Sequence, residues 1–183
     1  KTRNLVLAGN FNLTNVEELF NLLLSIGQHP KEKSDTVTVM EKIGHFMDLE
    51  NQDLFQEYKS QGVNNADISE KIANNIDVRK VLDRASSDFD GGYVMCGMLG
   101  HGDAFALRDP NGIRPAFWYA DDEFVVVTSE RPALQTAFNI KREQVKSLDP
   151  GHAMIIKKDG SYAVEKVRTP RERKECSFER IYF

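Results

Sequence analysis

The sequence predicts an α+β fold in which helices pack on antiparallel sheet. Three observations lead there. Apolar residues recur at three- and four-residue spacing through the early part of the chain, the period of a helix with one buried face. Later they run in short continuous blocks of strand length. Those blocks are separated by Gly-, Pro-, Asn- and Asp-rich turns that read as successive hairpins. Helices clustered early and strands clustered late make separate layers, not alternating βαβ units.

Leu5-Val6-Leu7-Ala8 is a short apolar run bounded by Gly9-Asn10, the form of a buried strand. Thr14-Asn15-Val16-Glu17 matches a capping box, and Val16, Leu19, Phe20, Leu23 and Leu24 form the stripe of a first helix ending at Gly27 and Pro30. Ser34-Asp35-Thr36 opens a second helix carrying Val37, Met40, Ile43 and Met47, with a break expected near Asp48-Leu49-Glu50. After a loop from Gly62 to Asn65, Ile68, Ile72, Ile76 and Val81 predict a third helix reaching about Ala85.

Gly91-Gly92 then precedes Tyr93 to Leu99, a continuous apolar run typical of a central strand. Ala104 to Leu107, Ala116 to Tyr119 and Phe124 to Val127 follow as strands. Between the first two lies Arg108-Asp109-Pro110-Asn111-Gly112-Ile113-Arg114-Pro115, turn chemistry written twice and read as a hairpin connection. Arg131 to Phe138 predicts a short helix with Pro132 in its first turn. Ala153 to Ile156 and Tyr162 to Val164 close the chain's sheet content, joined through Asp159-Gly160.

The chain has 183 residues, enough for one domain with a real core. Its net charge of −4 argues against a general nucleic-acid surface, although a local arginine can still hold a small anion. No apolar run has the length that spans a bilayer, and no signal peptide is visible, so a cytoplasmic setting and no membrane partner are expected. Cys96 and Cys176 are far apart and in no metal-binding spacing, and the four histidines show none either. Cys96 reads as a small core residue and His101 as an exposed turn residue. The chain begins without Met and ends on Ile181-Tyr182-Phe183, which suggests a piece of a longer protein.

Two stretches offer chemistry. Gly9-Asn10-Phe11-Asn12 reads as an Asn-rich turn feeding a capped helix, an arrangement that suits an anion or a developing oxyanion; ordinary turn chemistry explains the same residues. At Ser34-Asp35, Asp35 is either the cap of the second helix or a carboxylate that accepts a ligand ammonium.

Six segments, in order along the whole chain, resemble amidophosphoribosyltransferases. Leu107 to Pro115 is very similar to the R-D-P-x-G-I-R-P signature of that family. Gly9 to Asn15 resembles its H-N-G-N-L-T-N segment, and Ser34-Asp35-Thr36 its S-D-T helix start. Thr128-Ser129-Glu130 with Ala133-Leu134 resembles S-E-x-x-A-L. Leu148 to Gly151 with Asp159-Gly160 looks like P-G-E…D-G, and Cys176 to Phe183 like C-x-F-E-x-x-Y-F.

The resemblance implies an N-terminal-nucleophile (class II glutamine amidotransferase) fold, an αββα sandwich of antiparallel sheets and helices, incomplete here. Residues 1–183 would be a partial glutaminase domain, with the phosphoribosyltransferase domain outside this chain. The parent would be a homo-oligomer that takes glutamine and phosphoribosyl pyrophosphate and forms 5-phosphoribosylamine in purine synthesis. Asn10 would be the oxyanion asparagine, the Phe11 backbone N–H a second oxyanion donor, and Asp35, beside Ser34, the ligand of the substrate ammonium. No cofactor is expected in this chain. The parent transferase domain would use Mg2+, and Cys176 falls where some branches bind an iron-sulfur cluster.

Two departures from the family pattern stand out. Gly9 replaces a histidine and Phe11 a glycine, while the family's N-terminal cysteine and arginine segment have no counterpart in this chain. On that account the chain alone is expected to be inactive. The alternatives are another class II amidotransferase and a diverged domain that only binds or regulates.

Overall fold

A computed structural model describes residues 2–182; Lys1, and Phe183 at the end of the Cys176 segment, lie outside the described residues. In chain order the elements are strand β1 (Leu5–Leu13), helices α1 (Val16–Ser25), α2 (Asp35–Ser60), α3 (Asn65–Asn75) and α4 (Val78–Ala85), and strands β2 (Gly91–Leu99), β3 (Ala104–Arg108), β4 (Phe117–Ala120) and β5 (Val125–Thr128). Helix α5 (Arg131–Ala137), strands β6 (Lys146–Ser147), β7 (His152–Ile156) and β8 (Tyr162–Lys166), and helix α6 (Ser177–Tyr182) follow.

The strands form two sheets. One has five antiparallel strands in the order β1-β2-β3-β7-β8, the other three in the order β5-β4-β6. Helices α1, α2 and α4 pack on the larger sheet through a core that includes Leu19, Val39, Ile43, Met47 and Leu82 against Leu13, Tyr93, Met95, Phe105 and Leu107. A second core between the sheets holds Val94, Ala106, Met154 and Leu148, with Trp118, Val125 and Val127 of the smaller sheet. Alternation along β2 and β3 sends odd- and even-numbered residues to these two cores in turn. Both observations establish the antiparallel, helix-layered architecture that the pattern predicted.

The C-cap expected at Gly27 forms, and Gly62, expected only as loop, turns out to be a C-cap as well. Gly27 (φ 81°) closes α1 with its N–H on Leu24 O and the Gln28 N–H on Leu23 O. Gly62 (φ 77°) closes α2 in the same way, through Lys59 O and Tyr58 O.

Several local expectations are corrected. β1 does not stop at Gly9 but pairs with β2 without a bulge from Leu5 to Leu13, so Gly9-Asn10-Phe11-Asn12 is strand and not turn. It is also the sheet's edge strand, largely exposed and not buried. The capping box of α1 does not form. Asn15 occupies the cap position, while Thr14 and Asn15 reach across to Asp88 and Asp90. Helix α2 runs unbroken for 26 residues because its polar segment is held inside: Glu50 pairs with Lys80, and the Asn51 amide donates to Met47 O. The expected third helix is two, since the Asp77 side chain accepts the Lys80 N–H and restarts the helix.

The Arg108–Pro115 connection is likewise not a hairpin. It carries the chain from β3 in the larger sheet to β4 in the smaller.

Candidate active site

Residue alternation builds this site at the open edge of β1. Gly100 N–H donates to Asn4 O on the β2 side, and the one-to-one register then turns the N–H groups of Leu5, Leu7, Gly9, Phe11 and Leu13 away from β2, toward the free edge. The last of these is taken: Leu13 N–H donates to Asp35 Oδ2 at 2.9 Å. Phe11 N–H lies two residues, about 7 Å, further along the same edge.

The start of α2 positions Asp35. Ser34, not Asp35, is the N-cap, its hydroxyl accepting the Val37 N–H at 3.4 Å and donating to Glu32 Oε1 at 3.1 Å. That leaves Asp35 in the first turn, where the positive end of the helix dipole favours its carboxylate. The structure thus joins the Asp35 carboxylate to the strand carrying Asn10 and Phe11. The side chains of Asn10 and Phe11 take opposite faces. Asn10 is exposed on the face away from the helices, while the Phe11 ring packs toward the helical core.

The Phe11 ring also explains Gly9. A Cβ at position 9 would lie 2.7 Å from Phe11 Cζ, 2.7 Å from Val94 O and 2.9 Å from Met95 Cα. The two departures from the family pattern therefore share one space: the ring at 11 covers the position where a side chain at 9 would begin.

Cys96 is corrected from core to exposed residue. It lies opposite Ala8 on the same sheet face as Asn10, and that face is bare around Val6 (71% exposed) and Met98 (59%), which pair directly. Desolvation of its sulfur pushes the thiol pKa up, so it is not an activated thiolate. His101 is corrected the other way: its side chain is 3% exposed, with Nε2 3.2 Å from Asp103 Oδ2. Cys176 is half-buried and lies on another part of the molecule, against the Arg108–Pro115 connection through its N–H to Ile113 O. Among the described residues no group of three or more His, Cys, Asp or Glu is placed to hold a metal ion, at Cys176 or elsewhere. No helix among them is long and apolar enough to cross a membrane.

The Arg108–Pro115 connection is closed chemistry. Arg108 Nε donates to Arg114 O (2.7 Å), Nη1 to Leu148 O (2.6 Å) and Nη2 to Gly112 O (3.1 Å). The Asp109 carboxylate accepts the N–H groups of Asn111, Ile113 and Arg114 at 3.0, 3.0 and 3.1 Å. Burial lowers the Arg108 pKa and the Asp109 charge opposes that, so the guanidinium remains a cation held by carbonyls.

Sequence reasoning missed the arginines that gather near this connection. Arg131, Arg142 and Arg173 line a cleft of about 580 Å³ with Arg108 and Cys176, although they come from separate segments. Only Arg131, directly after Ser129-Glu130, touched a segment singled out in the sequence.

No protein-family profile matches the chain. Among curated proteins it is similar to an amidophosphoribosyltransferase of Pasteurella multocida, 28% identical over 98% of this chain and 32% of that protein. It also matches namesakes from Methanothermobacter thermautotrophicus (30% identical, 56% of this chain, 20% of that one) and Lachancea kluyveri (33%, 47% and 17%). The chain thus spans about a third or less of the length of these relatives. Its fold matches glutamine phosphoribosylpyrophosphate amidotransferase from B. subtilis, solved with ADP and GMP, at a TM-score of 0.69, 23% identity and coverage of 97% of this chain and 32% of that one. A second structure, described as the allosteric regulatory enzyme of purine biosynthesis, matches at 0.68 with 97% and 31% coverage. By sequence along almost its whole length this chain is thus similar to an amidophosphoribosyltransferase, and it shares the fold of two solved structures described as enzymes of that kind.

Proposed function

We propose that the protein carrying this sequence hydrolyses glutamine and passes the ammonia to phosphoribosyl pyrophosphate, giving 5-phosphoribosylamine and pyrophosphate in purine synthesis. The observation that carries this is the similarity to an amidophosphoribosyltransferase over 98% of the chain. The open edge of β1 is consistent with it. Residues 1–183 supply part of the glutaminase domain, and the transferase domain with its Mg2+ lies elsewhere in a homo-oligomeric parent in the cytoplasm.

In that reaction, attack on the glutamine amide converts the carbonyl oxygen to an oxyanion. The Asn10 amide and the outward Phe11 N–H are the donors that receive it, while Asp35 holds the substrate ammonium with Ser34 fixing the helix start beneath it. The nucleophile comes from outside this chain, since the Cys96 thiol is held protonated and Cys176 sits against the Arg108 connection. The 183-residue chain alone therefore has no glutaminase turnover. Any iron-sulfur cluster would take Cys176 as a single ligand, with the rest from other segments; the described residues do not assemble such a site, and no step runs through it.

The test is glutamine-dependent consumption of phosphoribosyl pyrophosphate by the whole parent protein. Asn10→Ala is expected to lower its glutaminase kcat by about 10²–10³. A parent with no such activity overturns the proposal. The Phe11 ring over Gly9 favours a second reading, a domain that binds glutamine without turnover, and saturable glutamine binding in an inactive parent would establish that one instead.

A further inference from the structure

The cleft beside the Arg108 connection is built for an anion although the chain as a whole carries a net charge of −4. Its walls are the Gly112–Phe117 stretch, the start of α5 and the segment before α6. Four arginines and two glutamates line it, Arg108, Arg131, Arg142 and Arg173 against Glu130 and Glu175.

These cations are not equivalent. Arg108 is committed to backbone carbonyls. Arg173 faces Glu175 at 2.5 Å. Arg131 lies with its guanidinium 4.8 Å over the Phe117 ring, and its buried Nε has no hydrogen-bond partner among the described residues. A buried donor without an acceptor is unfavourable, and an acceptor entering the cleft relieves it. Arg142 is exposed at the rim, and the hydroxyls of Ser129 and Ser147 add neutral donors. Ile113, Pro115, Phe117 and Pro132 supply an apolar wall.

We propose that this cleft binds a small phosphate monoester. Its dianionic oxygens are received by Arg131 and Arg142, and its organic part rests on the Phe117–Pro132 wall. Arginine's planar fork matches phosphate oxygens, and a volume of about 580 Å³ exceeds what a bare inorganic ion fills.

Phenyl phosphate, inorganic phosphate and phenol, titrated into the full chain and followed by calorimetry and by arginine Nε–Hε NMR signals, test it. Phenyl phosphate is expected to bind saturably, inorganic phosphate more weakly and phenol not at all. Arg131→Gln and Arg142→Gln are each expected to weaken phenyl phosphate binding about tenfold, whereas Arg79→Gln, at a half-exposed arginine paired with Glu165 away from the cleft, leaves it unchanged. Arg142 is exposed, so its variant reports on the site even if Arg131→Gln fails to fold. No saturable binding up to about 10 mM, or binding that Arg142→Gln does not weaken, overturns the assignment.

Discussion

Two of the six stretches that resemble amidophosphoribosyltransferases differ in what is left for a ligand. In the Arg108–Pro115 connection each nitrogen of the Arg108 guanidinium donates to a carbonyl or hydroxyl, and the Asp109 carboxylate collects three backbone N–H groups. At the edge of β1 the outward N–H groups face no strand, and one carboxylate, Asp35, reaches the end of that edge. A polar group already satisfied inside the protein stabilises the fold and offers little to a substrate. A strand edge with its donors facing out contributes little to stability and is free to bind. The polar groups of the Arg108–Pro115 connection are thus spent on the fold, whereas the less distinctive strand keeps donors facing outward.

Substitutions can break or sharpen that contrast. Arg108→Ala leaves the carbonyls of Gly112, Arg114 and Leu148 without their donor, and is expected to cost about 3 kcal/mol or more, read as a lower urea midpoint. An effect on the scale of a surface substitution would mean that the connection is not the rigid corner described. Gly9→Ala pushes a methyl into the Phe11 ring and the β2 backbone, an overpacking expected to cost about 1–3 kcal/mol. Here the open edge meets its one tightly packed point.

Asp103 adds a pH test of the satisfied kind. Its burial pushes the carboxyl pKa up, but the Lys157 ammonium, the Lys158 N–H and His101 outweigh that and hold it below the usual value. A depressed folded pKa contributes stability that is fully present above the unfolded value near 4 and is lost as pH falls through the folded one. The stability gap between the parent sequence and Asp103→Asn should therefore close on acidification below about pH 4, as measured by denaturation across pH.

Asp35→Ala removes the acceptor of Leu13 N–H and is expected to cost about 1 kcal/mol, with weaker glutamine binding in the parent as the larger effect. Asn10→Ala sits at the bottom of the scale, within about 0.5 kcal/mol in stability. A large loss there would show that Asn10 is a structural residue, and would collapse the distinction between the two stretches.

Much of the fold was legible from local chemistry. The C-cap at Gly27, the helix start at Ser34-Asp35-Thr36, Pro132 in the first turn of α5 and the Asp159-Gly160 hairpin each act within a few residues, so the chain announces them. The misreadings share another cause. Gly9-Asn10 is turn chemistry in isolation, but pairing with β2 some 85 residues away extends the strand through it. Asp48-Leu49-Glu50 looks like a helix break until Lys80 neutralises Glu50 inside the fold.

The sequence by itself determined the order of helix-rich and strand-rich regions, the turn at Gly27 and the likeness of the chain to amidophosphoribosyltransferases, because period, turn chemistry and motif order are properties of neighbouring residues. The tertiary structure alone decided which sheet each strand joined, that Asp35 meets Leu13, that Cys96 faces out while His101 is buried, and that Arg131 and Arg142 share a cleft. Those outcomes depend on groups brought together across tens of residues, and the free energy of burying or pairing them exists only once both partners are in place.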